Sequence, residues 1–192
     1  STLRHSSAAS DVYKRQRSDC VHTTVVCVTD KKDAKGVDFA RKYNLPVIIE
    51  SVDVNVPREE RRREQEMRIE QELLEYDVDL IVLSGYMRIL TPQFVENFYP
   101  RIVNIHPSLL PAFPGADAHT DVLASGVLVS GCTVHVVDAG MDTGTILAQC
   151  RVPVFENDTR PHLAKRVQIE EHRVYPKVID LICSGHQFDL DD

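Results

Sequence analysis

The sequence predicts an α/β domain with a mostly parallel sheet, helices on both faces and an antiparallel hairpin at one edge. Apolar, β-branched runs alternate three times with helical patterns between residues 21 and 105. Two later strand patterns, joined by the turn-rich stretch 138–144, predict the hairpin. Asn104 and His106 end a strand just before a proline-rich loop, which is how open α/β sheets present ligand sites.

Each predicted element has its own pattern. Short apolar runs predict strands at 21–28, 46–49, 80–84, 102–105, 131–137 and 145–149. Helical patterns cover 34–43, 57–76, a segment starting at Thr91-Pro92, 117–124 and 160–183. Thr91 is a favourable N-cap with Pro92 at the first helical position, and Gly185 is a stop signal for the last helix.

Composition excludes several classes of function. The chain has 192 residues and a net charge of −7, which argues against nucleic acid or an anionic membrane as the main partner. No apolar run approaches the roughly 20 residues of a membrane helix. The motifs of zinc, dinucleotide and nucleoside triphosphate sites are absent, and we expect no metal. Five irregularly placed cysteines indicate a reducing compartment, and we expect a cytoplasmic protein.

We expect one domain with two tails. Residues 1–18 have no apolar period and are expected to be disordered or foreign to the native protein, although their Arg and Ser content leaves a transit segment, and so an organelle, open. Residues 19–186 form the predicted domain, and the acidic tail 187–192 is expected to fray. The oligomeric state and fusion to other enzymes stay open.

A run of charge opens the second predicted helix, from Arg58 to Arg63. Such a run is usually a solvated helix face. The exception is a single arginine that reaches over a site to clamp an anion.

Three polar residues form the candidate chemistry. Asn104 offers an amide donor, His106 an imidazole, and Asp142 a carboxylate that would orient and charge that imidazole. An imidazolium and an amide N–H could stabilise an oxyanion. Ser108 lacks a nucleophile-elbow motif and Cys132 lacks a neighbouring base. The set therefore suits acyl transfer in which the substrate supplies the nucleophile.

Several motifs carry a specific resemblance. They are Leu83-Ser-Gly-Tyr-Met-Arg-Ile-Leu90, Asn104-Ile-His-Pro-Ser-Leu-Leu-Pro111, Gly131-Cys-Thr-Val-His135, Asp142-Thr-Gly144, Gln149 and Glu171-His172 with Tyr175-Pro176. In order and spacing, from about Thr23 to Cys183, the chain resembles the phosphoribosylglycinamide formyltransferase family. The resemblance implies a Rossmann-like formyltransferase fold.

The resemblance also implies a reaction and its small-molecule partners. In purine synthesis, the amine of glycinamide ribonucleotide attacks the formyl carbon of the co-substrate 10-formyltetrahydrofolate. Asn104, His106 and Asp142 match the catalytic trio. His106, held by Asp142, would stabilise the oxyanion together with Asn104 and relay a proton to the folate nitrogen.

Further contacts follow from the resemblance alone. The folate side is matched by Arg62, by Met87, Arg88, Ile89 and Leu90, by Asn104, and by the turn residues Asp138, Ala139, Gly140 and Met141. The ribonucleotide side is matched by Met87 and Glu171. His135 is expected to support the strand and the pocket wall. His119 and His172 are given no role.

The front of the chain departs from the family pattern. The family opens with a strand and a Gly/Ser/Asn phosphate loop at a helix N-terminus, whereas Val21 here matches the start of the second strand. We therefore expect an N-terminally incomplete copy with weakened ribonucleotide binding.

Three alternatives remain. A formyltetrahydrofolate deformylase would use a similar trio with water as nucleophile, but Pro107 and the short front argue against it. The catalytic domain of a methionyl-tRNA formyltransferase would need a further domain and a basic surface. The last alternative is an inactive, folate-binding remnant.

Overall fold

The computed structural model describes residues 21–186 and residue 188. Within this part of the chain, strands and helices follow the predicted order. The strands are β1 (Cys27–Thr29), β2 (Val47–Ile49), β3 (Ile81–Leu83), β4 (Ile102–His106), β5 (Val129–Val136) and β6 (Ile146–Pro153). The helices are α1 (Lys35–Lys42), α2 (Arg61–Glu75), α3 (Pro92–Phe98), α4 (Ala118–Ser125) and α5 (Arg160–Cys183).

The strands pair in two groups. β1 and β2 form a parallel pair, and β3, β4, β5 and β6 form a four-stranded sheet in that order. β3 and β4 are parallel, whereas β4–β5 and β5–β6 are antiparallel. The predicted edge hairpin is therefore confirmed as β5–β6. The sheet also turns antiparallel one strand earlier than the hairpin requires. The described pairings are therefore two parallel and two antiparallel, so the strands are mixed and not mostly parallel as predicted.

Both faces of β4 are covered. Ile102 belongs to a core cluster with Leu73 of α2 and Phe94 and Phe98 of α3. The next residue, Val103, belongs to a second cluster that includes side chains from β5, β6 and α5. Because successive strand residues point to opposite faces, helices lie on both sides of this strand. His106 is the last residue of β4, so it lies where the packed strand ends and the candidate site begins.

Three predicted boundaries were wrong by four residues or more. The last strand ends at Pro153 instead of Gln149, because it pairs with β5 as far as Val129. The first strand begins at Cys27 instead of Val21, and Val21 and Val25 are exposed. Among the described residues its partner is β2, which offers only three residues for pairing, so the earlier part of the β-branched run has no described strand beside it. The second helix begins at Arg61 instead of Pro57. The guanidinium of Arg61 donates to the carbonyls of Val54 and Val56, at 2.8 Å each, which stabilises a turn before the helix.

The helix-start prediction at Thr91 is confirmed. The Thr91 hydroxyl accepts a hydrogen bond from the backbone N–H of Phe94 at 3.4 Å, and Pro92 follows as the first helical residue. The last helix has the predicted bounds Arg160–Cys183, and Gly185 follows it with φ +78°.

The predicted division into a domain and two tails stays a prediction. Residues 1–18 lie outside the described residues, as does the acidic tail except for Phe188. The expected lack of a first strand and phosphate loop also falls on residues outside the described part. Across residues 21–186, no helix combines the length and apolar character needed to cross a bilayer.

Candidate active site

The structure brings His106 and Asp142 together. His106 is the last residue of β4, and its buried ring places Nδ1 3.3 Å from Oδ2 of Asp142. Asp142 lies in the turn between β5 and β6, where its φ is +57°. The backbone N–H of Gly115 donates to the same Oδ2 at 2.8 Å. The carboxylate is thus fixed between the imidazole and the loop that follows it.

The other nitrogen of the His106 ring also faces an acceptor. Nε2 lies 2.9 Å from the carbonyl oxygen of Phe113, and the oxygen of the Ser108 hydroxyl lies 3.1 Å from the same carbonyl oxygen. A neutral imidazole donates from one nitrogen only, whereas an imidazolium donates from both. The surroundings of His106 therefore provide one acceptor for each N–H of the charged ring.

Asn104 shares the face of β4 with His106, because the two residues are two positions apart on a strand. Its Nδ2 lies 3.2 Å from Nε2 of His135, the residue opposite it on β5. Nδ1 of His135 lies 2.9 Å from the carbonyl oxygen of Val136 and donates to it. Nε2 then carries a lone pair and accepts from Asn104, which fixes which end of the amide faces the histidine.

His135 is a neutral support in this arrangement. Burial lowers the pKa of His135 below its ordinary value, with the hydrogen bond to Val136 and the Asp142 charge opposing the shift. Its Nε2 lies 3.7 Å from Oδ1 of Asp142. Nδ1 carries the proton of the neutral ring, so Nε2 of His135 and Oδ1 of Asp142 are both acceptors and do not form an ion pair. The sequence predicted only a supporting role for His135, and no pattern revealed its contact with Asn104.

Side chains from the hairpin hold the proline-rich loop. The hydroxyl of Thr133 donates to the carbonyl of Ser108 at 2.7 Å and accepts from the backbone N–H of Leu110 at 3.0 Å. Nε2 of Gln149 donates to the carbonyl of Leu110 at 2.8 Å and to the Thr133 hydroxyl at 3.0 Å. The loop that carries Phe113 and Gly115 is therefore positioned by β5 and β6.

Neither candidate nucleophile is available. Burial raises the pKa of the Cys132 thiol far above its ordinary range, so this cysteine is not a thiolate. Ser108 is fully buried, and its hydroxyl donates to the carbonyl of Ala112 at 2.6 Å. No group of three His, Cys, Asp or Glu side chains within the described residues could hold a metal ion.

The predicted folate-side segment follows β3, the parallel neighbour of β4. The register pairs Leu83 with Asn104, so residues 84–90 leave the sheet at the edge where His106 ends β4. The Met87 and Ile89 side chains are 49% and 52% exposed, and Leu90 is buried. Arg88 donates to Asp30 at 2.9 Å and to Gln65 at 3.3 Å, and Nη1 of Arg62 donates to the carbonyl of Ile89 at 2.5 Å.

The predicted pterin-side turn is internally braced. The carboxylate of Asp138 accepts from the backbone N–H of Gly140 at 3.0 Å and from the Thr143 hydroxyl at 2.8 Å. Ala139 and Met141 are exposed. A Cβ added to Gly144 would lie 1.9 Å from the carbonyl oxygen of Val136, so the turn closes against β5 only with glycine there.

Glu171 lies on α5, one turn before Tyr175. The buried Tyr175 hydroxyl lies 2.8 Å from the carbonyl oxygen of Leu83 and 3.0 Å from that of Val103. It thus connects α5 to the last residue of β3 and to the second residue of the adjacent strand β4. Burial, and secondarily the Glu171 charge, raises the pKa of Tyr175 well above its ordinary value, so the hydroxyl remains a donor.

Comparison with known proteins shows the family of this chain. The family model described as "Formyl transferase" matches residues 3–179. The chain belongs to the formyl transferase family. It is 39% identical over 166 residues to phosphoribosylglycinamide formyltransferase of Bacillus subtilis, covering 86% of this chain and 82% of that protein. It is also 39% identical over 180 residues to the trifunctional purine biosynthetic protein adenosine-3 of Chironomus tentans.

That second match covers 93% of this chain and 13% of the relative. The chain spans only 13%, 16% and 15% of three such trifunctional relatives. Among solved structures, phosphoribosylglycinamide formyltransferase of Bacillus halodurans superposes with a TM-score of 0.85 at 35% identity, over 97% of this chain and 96% of that one. The predicted Rossmann-like formyltransferase fold is therefore confirmed.

Proposed function

We propose that this member of the formyl transferase family transfers a formyl group from 10-formyltetrahydrofolate to the amine of glycinamide ribonucleotide, in purine biosynthesis. The observation that carries the proposal is the arrangement of Asn104 and His106 on β4 with Asp142 beside His106, where neither Ser108 nor Cys132 is available as a nucleophile. The names of the Bacillus subtilis and Bacillus halodurans relatives support the choice of acceptor.

The proposed reaction begins with attack by the substrate amine. Its nitrogen forms a bond to the formyl carbon, and the carbonyl electron pair moves to oxygen. The second N–H of the Asn104 amide, not used by His135, stabilises the resulting oxyanion together with the Nε2–H of the His106 imidazolium, which exchanges the Phe113 carbonyl for the oxyanion as its acceptor. The bond from the formyl carbon to the folate nitrogen then breaks. That nitrogen gains a proton as the amine loses one, with His106 as the relay.

Asp142 has an electrostatic role in this mechanism. Its carboxylate lies 3.3 Å from Nδ1 of His106 and stabilises the positive charge on the ring. The hydrogen bond from Gly115 keeps the carboxylate oriented without neutralising it. A carboxylate between an imidazolium and a backbone N–H is therefore well placed to hold the ring during attack and proton transfer.

The proposed binding surfaces flank the trio. On the folate side they are Arg62, Met87 to Leu90, Asn104 and the turn residues Asp138, Ala139, Gly140 and Met141. Because the Arg88 guanidinium is engaged by Asp30 and Gln65, its contact with folate would come from the backbone. Met87 and Glu171 are proposed for the ribonucleotide side.

We place the reaction in the cytoplasm. Cys27, Cys132 and Cys150 are free thiols, as expected for a reducing compartment.

One assay tests the proposal. The purified chain is incubated with 10-formyltetrahydrofolate, with and without glycinamide ribonucleotide, and tetrahydrofolate formation is followed. We expect turnover only when the ribonucleotide is present. Equal turnover in its absence would identify a deformylase, and no turnover in either mixture, at ribonucleotide concentrations high enough to offset the expected weak binding, would overturn the proposal. The variant His106→Ala is the control for catalysis by the proposed site.

A further inference from the structure

One face of α2 holds the segment that follows β3. Arg62, Gln65 and Glu66 lie at positions i, i+3 and i+4 of the helix and so project on one side. Each of them bonds a different residue of the segment: Arg62 bonds Ile89, Gln65 bonds Arg88, and Glu66 bonds Thr91. Only Arg62 has a role in the proposed function, and the other two are buried although they belong to a highly charged helix.

Glu66 fixes the far end of the segment. Glu66 as a whole is 3% exposed, and its carboxylate accepts from the backbone N–H of Thr91 at 3.1 and 3.2 Å and from the Thr91 hydroxyl. Thr91 in turn caps α3 through Phe94. The buried carboxylate of Glu66 therefore has its hydrogen-bond donors at Thr91, where the segment ends and α3 begins.

Gln65 fixes the middle of the segment to the β1–β2 pair. Its Oε1 accepts from Nη1 of Arg88 at 3.3 Å, and its amide nitrogen donates to the carbonyl of Glu50, directly after β2. Nη2 of Arg88 donates to Asp30, directly after β1, at 2.9 Å. The Arg88 side chain is thus held between the ends of two strands and helix α2.

These anchors leave the ligand-facing groups free. Residues 85–91 contain no helix or strand, so nothing in the local backbone pattern orders them. The anchors engage the Arg88 side chain, the Ile89 carbonyl and Thr91, while the Met87 and Ile89 side chains remain exposed. Without anchors, a ligand that binds this backbone would have to order it on binding, which weakens affinity.

We propose that Gln65 and Glu66 are positioning residues that pre-order segment 87–91 for the folate co-substrate. This inference rests on the proposed function of the same site. Neither residue touches the reacting atoms. They act through Arg88 and Thr91 on the backbone and the exposed side chains that the folate would contact.

The test separates folate binding from the other kinetic parameters. Gln65→Ala and Glu66→Ala should each raise KM for 10-formyltetrahydrofolate by about fivefold or more, with kcat and KM for the ribonucleotide within about twofold of the parent. Glu66→Gln retains an oxygen acceptor for the Thr91 N–H and should recover part of the loss. Gln71→Ala and Glu75→Ala, at exposed positions of the same helix, are matched controls and should leave all three parameters unchanged.

Binding of tetrahydrofolate, measured by calorimetry with exclusion of oxygen, separates this inference from the proposed function. A parent chain that binds tetrahydrofolate without turnover contradicts the proposed reaction, and weaker binding by the two alanine variants would still support the positioning role. Equal binding of tetrahydrofolate by the parent and the variants overturns the positioning role. A variant in which kcat falls and both KM values rise together also overturns it. A parent that neither turns over nor binds overturns both.

Discussion

The side-chain amide nitrogen of Asn104 lies 3.2 Å from Nε2 of His135, directly across the antiparallel pairing of β4 and β5. His135 is neutral because burial lowers its pKa, and its Nδ1 proton is donated to the carbonyl of Val136. The orientation of the Asn104 amide is therefore determined by a residue that bears no charge. This relationship makes His135 a positioning residue for the proposed oxyanion site.

Replacing His135 with leucine should release the Asn104 amide. We expect kcat to fall by about 10- to 100-fold, because the released amide no longer stabilises the oxyanion fully. Each tenfold loss corresponds to about 1.4 kcal/mol of transition-state stabilisation. His135→Gln retains a side-chain oxygen that can accept from Asn104 and should lose less. Single-turnover rates measured at saturating substrates test the difference, and equal rates for both variants and the parent would disprove the positioning role.

Replacing Asp142 with asparagine should remove charge while keeping shape. The amide oxygen still accepts from the Gly115 N–H, so the turn should remain in place. His106 loses its ionic partner, and we expect kcat to fall by about 10²- to 10³-fold, as on loss of one oxyanion-stabilising group. Kinetics and a thermal melt of the same preparation test this. A large fall in melting temperature would instead assign Asp142 a structural role.

Removing the Thr133 hydroxyl should loosen the proline-rich loop. Thr133→Val preserves the side-chain shape but leaves the Leu110 N–H and the Ser108 carbonyl without their buried partner. We expect the free energy of unfolding to fall by about 1–3 kcal/mol in urea titrations. Thr133→Ser keeps the hydroxyl and serves as the control. A valine variant as stable as the serine variant would show that the loop does not depend on this hydroxyl.

His172 should make stability depend on pH. Burial lowers the pKa of His172 in the folded state below 6.5, and Nε2 has no hydrogen-bonding partner among the described residues. Between the folded-state pKa and 6.5 the unfolded chain binds more protons, so stability falls as the pH falls through this window.

The leucine variant of His172 should flatten that dependence. Melting temperatures of the parent, His172→Leu and His162→Leu are compared from pH 7.5 to pH 5. His162 is exposed on the same helix and provides the control. His135 contributes a pH dependence of the same sign, so a reduced slope and not a zero slope is expected for His172→Leu. An unchanged slope would contradict this account.

Much of this fold follows from local pattern, and the departures have physical reasons. The cap at Thr91 and the helix Arg160–Cys183 are encoded by neighbouring residues, so the sequence predicts them well. The start of β1 is set by the pairing available to it, which no local pattern contains. The predicted edge hairpin is antiparallel as expected, but the antiparallel pairing of β4 with β5 depends on how the whole chain is arranged.

The same distinction applies within the candidate site. The resemblance names Asn104, His106 and Asp142, and the structure places His106 beside Asp142. The resemblance could not reveal the contact of Asn104 with His135, because that contact depends on the β4–β5 register. Glu66 lies within a helix whose charged residues predict a solvated face. This carboxylate differs from its exposed neighbours because Thr91 lies beside it and donates to it, which no local pattern shows.

The Tyr175 hydroxyl reaches the carbonyl of Leu83 across 92 positions of sequence and that of Val103 across 72. During translation, β3 and β4 leave the ribosome long before the residue that connects them to α5. A nascent chain that ends before α5 contains Asn104, His106 and Asp142 but lacks this connection. The proposed catalytic residues are thus synthesised early, and the support beneath their strands is completed only when the last helix packs.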